Sequence, residues 1–389
     1  MRLPGELSPN AAARAVEALR AQGVAVIDLT ESNPTKAGFH YPEQLLHALA
    51  DPRALRYDPH PLGLMSARDA VAREFLRRRL HVPSARIGLT ASTSEAYGFL
   101  FKLLCDPGDA VLVPRPSYPL FEYLTALEGV VAIPYMLEYH GTWRIDVDAV
   151  QRALNERVRA LLIVSPNNPT GSFLHKDDLV TLAKMCASRE LPIISDEVFA
   201  DFPLDAAPHA VSVLEATDIV TFSLGGLSKS VGLPQVKLGW VAVGGPADRV
   251  RSMLDAYEVI ADAYLSVSTP VQVAAPALLD AGAVVRADIH ARVQHNLASL
   301  RAAIASYPSV SVLTCEGGWS AVIQLPSTRG EEALILDLLN HDHLLVHPGY
   351  FFDFDRETFV VVSLLVEPNV FDRGVALLLA RATESIQRP

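Results

Sequence analysis

Short apolar segments alternate with helical patterns through the middle of the chain, and this alternation is the feature that most constrains the fold. Buried strands are predicted at residues 110–113, 130–133, 160–164, 192–195 and 219–222. Amphipathic helical patterns separate most of them. Strands that are apolar throughout and alternate with helices are typical of a parallel sheet covered on both faces. We therefore predict an α/β fold in which a mainly parallel central sheet is flanked by helices.

A glycine-rich segment, residues 223–240, follows the last of these strands and contains Lys229. A lysine in a glycine-lined loop at the carboxyl end of a strand is well placed to form a Schiff base with a cofactor aldehyde. A lysine that follows a serine in a loop is, however, usually only a solvated charge. Lys229 therefore needs partners elsewhere in the chain before it can be interpreted as catalytic.

Polar residues at the other strand ends supply such partners. Tyr118, Asn168 and Asp196 each follow a predicted strand, as Lys229 does. Taken singly, they are explained equally well as a turn tyrosine, an Asn-Pro turn and a helix cap. Ligands of parallel sheets bind beyond the carboxyl ends of the strands, so their occurrence at one edge predicts a binding site there.

Ser92, Thr93 and Ser94 lie between a strand that begins at Ile87 and a helix predicted over residues 95–104. Free backbone N–H groups and hydroxyls gather at such a helix N-terminus, which is a common way to bind a phosphate. Serine and threonine also cap helices that bind nothing. From these residues alone both interpretations stay open.

Composition excludes several classes of function. The 389 residues include 33 Lys and Arg against 44 Asp and Glu, a net charge of −11, without a basic run, so a nucleic-acid partner is not expected. The three cysteines have no metal-ligand spacing, so we expect buried thiols and no metal site. No secretory signal or membrane-spanning segment is visible, and a cytoplasmic location is predicted.

The two ends of the chain are expected to form a smaller α+β domain. Ser8 is predicted to cap a helix that ends near Gln22, and a strand follows at residues 25–29, with no obvious partner in the central sheet. The C-terminal elements are listed here in chain order: a long helical stretch at 271–307, strands at 310–313 and 320–325, a helix at 331–339, strands at 344–347 and 359–365, and a helix ending near Gln387. The predicted units are an N-terminal arm (1–50) shared with the small domain, a large domain (51–285) and a small C-terminal domain (286–389).

The order of these motifs resembles the class I/II aminotransferases, the fold-type I enzymes that use pyridoxal 5′-phosphate. The resemblance extends from about residue 8 to about residue 381. Its motifs are Ser-Thr-Ser-Glu-Ala at 92–96, Pro-Ser-Tyr-Pro at 116–119, Asn-Asn-Pro-Thr-Gly at 167–171, Asp-Glu-Val at 196–198 and Leu-Ser-Lys ending at 229. It implies transfer of an amino group between an amino acid, or a related amine, and a 2-oxo acid through a Schiff base at Lys229.

The resemblance also implies roles for individual residues. Lys229 would hold the cofactor and, once displaced by substrate, carry protons as a general acid and base. Asp196 would pair with the pyridine nitrogen, Asn168 would donate to the ring oxygen and Tyr118 would stack on the ring. The cofactor phosphate would be bound by Ser92, Thr93, Ser94, Lys237 and, from the neighbouring subunit of a homodimer with shared active sites, Tyr57.

The sequence departs from the family pattern at several of these positions. Phe199 stands where the family usually has a tyrosine that donates to the ring oxygen, and Gly226 stands where it usually has serine. Lys237 replaces an arginine, which keeps the charge but loses the bidentate geometry. Val361 occupies the position of the arginine that binds the substrate carboxylate. Losing that arginine removes a charge-assisted pair, so this site must bind its substrate differently.

Three explanations of Val361 are open. In the first, the substrate carboxylate is bound by Asn168, the backbone near Asn33 and another cation. In the second, the substrate carries its carboxylate elsewhere or lacks one. In the third, the reaction is not transamination. Arg356 and Arg373 are interpreted as solvated charges. His347 lies where a second lid of the family approaches the substrate, and packing is the simpler interpretation of it.

Other functions compete with transamination. The same cofactor supports β-elimination, as in a C–S β-lyase, as well as decarboxylation and racemisation, and the sequence does not separate them. Tyr118 argues mildly against the acyl-transferring branch, which usually stacks histidine on the ring. A non-catalytic ligand-binding relative is a further alternative, although such a protein would not be expected to keep Lys229, Asp196 and Asn168 together.

Phe199 generates a testable prediction about cofactor tuning. Without a phenol donor, the ring oxygen should be more basic and should bind the neighbouring iminium proton more tightly, which raises the spectral pKa of the cofactor-loaded protein. Phe199→Tyr is therefore expected to titrate at lower pH than the wild type when absorbance is followed against pH. A variant that titrates at the same or a higher pH would contradict this.

Overall fold

The computed structural model describes residues 10–327 and 330–383. Its strands, numbered in chain order, are β1 (Ile27–Asp28), β2 (Ile87–Thr90), β3 (Ala110–Arg115), β4 (Val131–Tyr139), β5 (Trp143–Ile145), β6 (Val158–Val164), β7 (Ile193–Asp196), β8 (Thr221–Gly226), β9 (Gly239–Gly244), β10 (Ser311–Val312), β11 (Ser320–Gln324), β12 (Leu344–Leu345), β13 (His347–Pro348) and β14 (Phe359–Ser363).

The α-helices are numbered in the same way. They are α1 (Ala11–Ala21), α2 (Met65–Arg77), α3 (Thr93–Leu104), α4 (Phe121–Glu128), α5 (Val147–Ala153), α6 (Lys176–Ala187), α7 (Leu227–Ser230), α8 (Ala247–Asp262), α9 (Thr269–Ala281), α10 (Ala283–Ile304), α11 (Glu331–Asp337) and α12 (Pro368–Thr383). The Asn10 side chain caps α1 by accepting from the Ala13 N–H at 2.8 Å. The predicted cap Ser8 and the predicted helix end near Gln387 lie outside the described residues.

An eight-stranded sheet forms the centre of the fold, in the order β2-β9-β8-β7-β6-β3-β4-β5. The five strands from β8 to β4 run parallel to one another, whereas β9, next to β8, and the edge strands β2 and β5 pair antiparallel with their neighbours. The predicted α/β class and mainly parallel sheet are confirmed. The sheet brings the carboxyl ends of β3, β6, β7 and β8 to one edge.

Both faces of the central strands are covered, which explains why their sequences are apolar throughout. In β6, Leu161 and Ile163 pack into the core on one face of the sheet. Ala160 and Leu162 pack into a second core on the other face, together with residues of α3 and α8. Each face therefore buries a continuous apolar layer, and burial of such surface contributes about 25 cal/mol per Å².

A four-stranded antiparallel sheet, β10-β11-β14-β13, and a two-stranded parallel sheet, β1-β12, lie outside the central sheet. The pairing of β1 with β12 joins Ile27 to Leu344 and Asp28 to Leu345. The prediction that the first strand belongs with the C-terminal elements is confirmed. Leu29, directly after β1, is fully buried in the same core as α10 and α12.

The structure differs from the sequence prediction in four places. The helical stretch predicted at 271–307 is two helices, divided at Gly282, where an added Cβ would lie 2.6 Å from the Val231 side chain. The strand predicted at 344–347 is split into β12 and β13. The short edge strand β5 and the antiparallel β9 were not predicted, because β9 begins inside the glycine-rich segment that was interpreted as loop.

Within residues 10–327 and 330–383, no helix is long and apolar enough to cross a membrane. The same part of the chain contains no cluster of histidine, cysteine and acidic side chains suited to a metal ion.

Candidate active site

A cavity of about 220 Å³ opens where the carboxyl ends of the parallel strands meet the small antiparallel sheet. Its walls come from both sheets and from the N-terminal segment. The lining residues are Ser32, Thr93, Tyr97, Ser117, Tyr118, Leu120, Phe121, Val164, Asn168, Asp196, Val198, Phe199, Lys229, Trp319 and Ser320. Thr93, Tyr118, Asn168, Asp196 and Lys229, which the sequence placed in one site, therefore line one cavity.

Lys229 lies on α7, the short helix that follows β8. The chain turns closely at Gly226, where an added Cβ would lie 3.0 Å from the Leu238 carbonyl oxygen. The Lys229 Nζ lies 4.9 Å from the ring centroid of Trp319 and 5.6 Å from that of Phe199. Burial lowers the pKa of Lys229 to about 8, and the nearby Asp196 charge opposes this shift. The amine is therefore far easier to deprotonate than a surface lysine.

Asp196 ends β7 and faces the same cavity. Its Oδ1 accepts from the Val198 N–H at 3.1 Å, and its Oδ2 accepts from the buried Tyr97 hydroxyl at 3.4 Å. Burial raises the pKa of Asp196 to about 6, although both hydrogen bonds and the Lys229 charge lower it. A carboxylate buried this deeply is stabilised by a cationic N–H partner. The protonated nitrogen of a pyridine ring provides such a partner.

Asn168 is positioned by the small sheet. The Ser320 hydroxyl, at the start of β11, donates to the Asn168 Oδ1 at 3.3 Å. An amide whose oxygen is occupied in this way presents its NH₂ as the remaining donor. The Asn168 side chain is thus suited to donate to an anionic oxygen in the cavity.

The N-terminus of α3 forms one end of the site. The Ser92 hydroxyl caps the helix by accepting from the Glu95 N–H at 3.2 Å, and the Glu95 carboxylate accepts from the Ala91 N–H at 2.7 Å. Gly239 packs directly against this turn, since an added Cβ would lie 2.9 Å from the Ser92 carbonyl carbon and 3.1 Å from the Thr93 nitrogen. Ser92 and Ser94 are half-buried beside the cavity rather than in its wall.

The remaining predicted phosphate ligands lie outside the cavity wall. Lys237 is exposed with a left-handed backbone, φ 61°, two residues before Gly239. Tyr57 is 74% exposed and borders a separate small cavity with His60 and Ser266. Within a single chain, neither side chain reaches the residues around Lys229.

The two weaker substrate candidates are engaged elsewhere. The Asn33 Oδ1 accepts from the Thr35 N–H at 3.0 Å and from its hydroxyl at 2.8 Å, and Ser32 lines the cavity in its place. The His347 ring stacks on Phe351 at 4.8 Å. Burial lowers the pKa of His347 to about 4, so the ring is neutral near pH 7 and supplies no charge. This geometry favours the packing interpretation of His347.

Val361 faces the same side of the small sheet as Ser320. In the antiparallel register Val322 lies opposite Val361 and Ser320 lies opposite Ser363, so these side chains share one face. Val361 is 1% exposed and packs in the core that covers the central sheet. No arginine belongs to the cavity wall among the described residues. Arg356 and Arg373 are exposed, as expected from the sequence.

Sequence reasoning missed Tyr97, Trp319, Ser320 and Ser32 in the cavity wall. Tyr97 lies one helical turn after Thr93, so its direction towards the cavity follows from the position of α3. Trp319 and Ser320 follow the pair Gly317-Gly318, and β11 begins at Ser320. That glycine pair before a strand was the available signal, but only the docking of the two sheets shows which residue it brings to Lys229.

Comparisons with known proteins identify one family and one fold. The family model for class I and II aminotransferases matches residues 24–375. The glutamate-pyruvate aminotransferase AlaA of Haemophilus influenzae is 27% identical over 90% of this chain and 89% of its own. The alanine aminotransferase of Mycobacterium bovis is 27% identical over 85% of this chain and 79% of its own. The solved alanine aminotransferase of Pyrococcus furiosus, at 24% identity, covers 95% of both chains with a TM-score of 0.86 and shows the same fold.

The tight packing at Gly239 predicts the effect of Gly239→Ala. The new Cβ would displace the backbone at Ser92 and Thr93. Because overpacking of this kind costs about 1–3 kcal/mol, binding of pyridoxal 5′-phosphate should weaken by roughly tenfold. Absorbance titration of the apo-protein measures this. Gly98→Ala is the matched control. Gly98 lies in α3, and its added Cβ would approach only the ends of the flexible Glu128 and Lys102 side chains, so this variant should bind as the wild type does. Equal affinity of Gly239→Ala and wild type would contradict a cofactor site at this turn.

Proposed function

This chain belongs to the class I and II aminotransferase family and is an aminotransferase, and we propose that it binds pyridoxal 5′-phosphate through Lys229 and moves an amino group between an amino compound and a 2-oxo acid. The observation that carries this proposal is the pairing of Lys229 with Asp196 in one cavity. Burial shifts the pKa of the amine down, to about 8, and the pKa of the acid up, to about 6. Both groups are thereby brought towards neutral pH, where proton transfer is efficient.

The residues of the cavity fit the cofactor. Asp196 provides a buried carboxylate for the pyridine nitrogen, and Asn168 provides a donor for the ring oxygen. Tyr118 lines the same cavity, and its ring would cover a face of the cofactor ring. The helix terminus at Thr93, with Ser92 and Ser94 beside it, offers N–H groups to a phosphate. When bound, the cofactor supplies an electron sink for the bonds at the substrate Cα.

Each side chain then has a defined task. Lys229 would hold the cofactor through its amine and, once free, would carry a proton to and from the substrate carbon. Asp196 would stay ionised beside a protonated ring nitrogen, and the Tyr97 hydroxyl and Val198 N–H fix the plane of its carboxylate. The apolar wall formed by Phe199, Trp319 and Leu120 excludes water, which strengthens these electrostatic interactions.

The substrate class follows partly from Val361. Without an arginine in the wall, the carboxylate of an amino acid has to be bound by neutral donors, or by a cation from a second subunit. The functions named for the relatives make alanine, glutamate and pyruvate the first compounds to test. Amines that lack an α-carboxylate belong in the same screen.

We propose that the enzyme is a homodimer with shared active sites. Tyr57 and its neighbour Leu55 are exposed in the single chain, as is Val259 on α8. Exposed apolar side chains on adjoining segments are typical of a subunit interface. A second copy packed there would bring its own Tyr57 towards the phosphate end of the cavity. The domain limits at 50 and 285 and the cytoplasmic location also stay predictions.

A reconstitution experiment tests the proposed function. Purified protein incubated with pyridoxal 5′-phosphate should become yellow, lose this colour on addition of an amino donor and regain it with a 2-oxo acid. Borohydride reduction should attach the cofactor to Lys229, as read by peptide mass. Lys229→Ala should show neither effect, whereas Lys184→Ala, which removes an exposed lysine, should behave as wild type. Absence of colour, or a label on another lysine, would refute the proposal. Loss of colour that a 2-oxo acid does not reverse would indicate one of the other cofactor-dependent reactions.

The pKa of Lys229 predicts how cofactor capture depends on pH. The neutral amine is the attacking form, and its pKa of about 8 lies well below the 10.5 of an ordinary lysine. The rate of capture by apo-protein, followed by stopped-flow absorbance, should therefore rise with pH and level off above a midpoint of about 8. Asp196→Asn removes the charge that raises this pKa, so its midpoint should lie lower. A wild-type midpoint near that of a free lysine would show that the amine is solvated.

A further inference from the structure

We propose that the indole N–H of Trp319 is the hydrogen-bond donor to the ring oxygen of the cofactor, in place of the phenol that Phe199 lacks. This inference rests on the proposed cofactor and concerns a residue to which neither the motifs nor the relatives assign a role. Trp319 lines the cavity and is 3% exposed. Among the described residues, its Nε1–H has no hydrogen-bond partner.

An unpaired indole is not sufficient as an argument, because the Trp143 N–H is also buried without a partner in the described part of the chain. What distinguishes Trp319 is its position. Its ring centroid lies 5.3 Å from that of Phe199, and the Lys229 Nζ lies 4.9 Å above the ring. Trp143 packs instead against Tyr139 and Phe354, away from the cavity wall.

The neighbours of Trp319 are the residues expected around the ring oxygen. Lys229 carries the atom that the cofactor binds, and Phe199 stands at the position of the usual phenol donor. The third is Asn168, whose Oδ1 accepts from the hydroxyl of Ser320, the residue directly after Trp319. One two-residue segment therefore touches all three members of the oxygen-binding group. The backbone of this segment is fixed, because the Trp319 carbonyl accepts from the Leu364 N–H at 2.7 Å.

The chemistry of the site requires a donor there. A phenolate enclosed by Phe199 and the other apolar residues of this wall is costly unless it is hydrogen-bonded, and besides the neighbouring iminium proton only Asn168 has so far been assigned to it as a donor. An indole provides a donor and no acceptor, so it suits an anionic oxygen and no other group of the cofactor ring. The face of the Trp319 ring meanwhile contacts the Lys229 Nζ, which is the atom that carries the positive charge.

Trp319→Phe tests the assignment, because it keeps an aromatic face and removes the N–H. Loss of the donor makes the ring oxygen more basic, so the spectral pKa of the cofactor-loaded protein should rise by about one unit. Weakening the cation–aromatic contact with Lys229 acts in the opposite direction, since it disfavours the charged form. A rise therefore reports the lost hydrogen bond. Trp143→Phe removes an equally buried, unpaired indole elsewhere and should leave the spectral pKa unchanged.

A second readout does not depend on activity. The chain has three tryptophans, so the indole ¹H–¹⁵N spectrum contains three signals that single Phe variants assign. Adding pyridoxal 5′-phosphate to apo-protein should move the Trp319 N–H signal downfield and leave the Trp143 signal in place. A wild-type protein that forms no coloured complex would refute both the cofactor and this inference. A coloured complex in which Trp319→Phe fails to raise the spectral pKa, or in which the Trp319 signal moves only when a carboxylate substrate is added, would refute this inference alone.

Discussion

The desolvation of two opposite charges in one cavity is the interaction on which the rest of this structure depends. Lys229 and Asp196 are both removed from water by apolar walls, and burial moves the pKa of each towards neutrality. Two unit charges at a given separation interact several times more strongly at an effective dielectric constant of about 20 than in water. The walls that create this environment come from both the parallel sheet and the small antiparallel sheet. The site therefore exists only when the two sheets are docked.

Two of the departures from the family pattern, Phe199 and Val361, lie on the side of the cavity that meets the small antiparallel sheet. Phe199 packs against Trp319, and Val361 shares a face of that sheet with Ser320. The opposite side, at Asp196 and the N-terminus of α3, has groups suited to a pyridine nitrogen and a phosphate, and its one departure, Lys237, keeps the positive charge of the usual arginine. The departures at Phe199 and Val361 instead remove a polar group near the proposed positions of the ring oxygen and the substrate. We infer that this enzyme differs from its relatives in substrate and in cofactor tuning rather than in reaction class.

The predicted site residues fall into two groups, those at the ends of parallel strands and those outside the parallel strands. Asp196, Asn168 and Lys229 could be predicted because each follows a buried strand, and parallel strands end at one edge of the sheet. Lys237, Tyr57, Asn33 and His347 could not be placed, because the first three lie on loops and His347 lies on the two-residue strand β13. Their side chains follow local interactions, such as the Asn33 turn and the His347–Phe351 stack, which leave no periodic trace in the sequence.

The alternation of apolar strands and helices, with polar residues at the strand ends, was enough to establish the fold class, the edge that carries the site and the central lysine and acid. These features depend on burial and on strand direction, and the local pattern of apolar and polar residues predicts both. The cavity wall contributed by Trp319, Ser320 and Tyr97 followed from the packing of distant elements. Such contacts join residues 99 positions apart, as between Tyr97 and Asp196, or 152 positions apart, as between Ser320 and Asn168. No local pattern encodes which side chains meet across that separation.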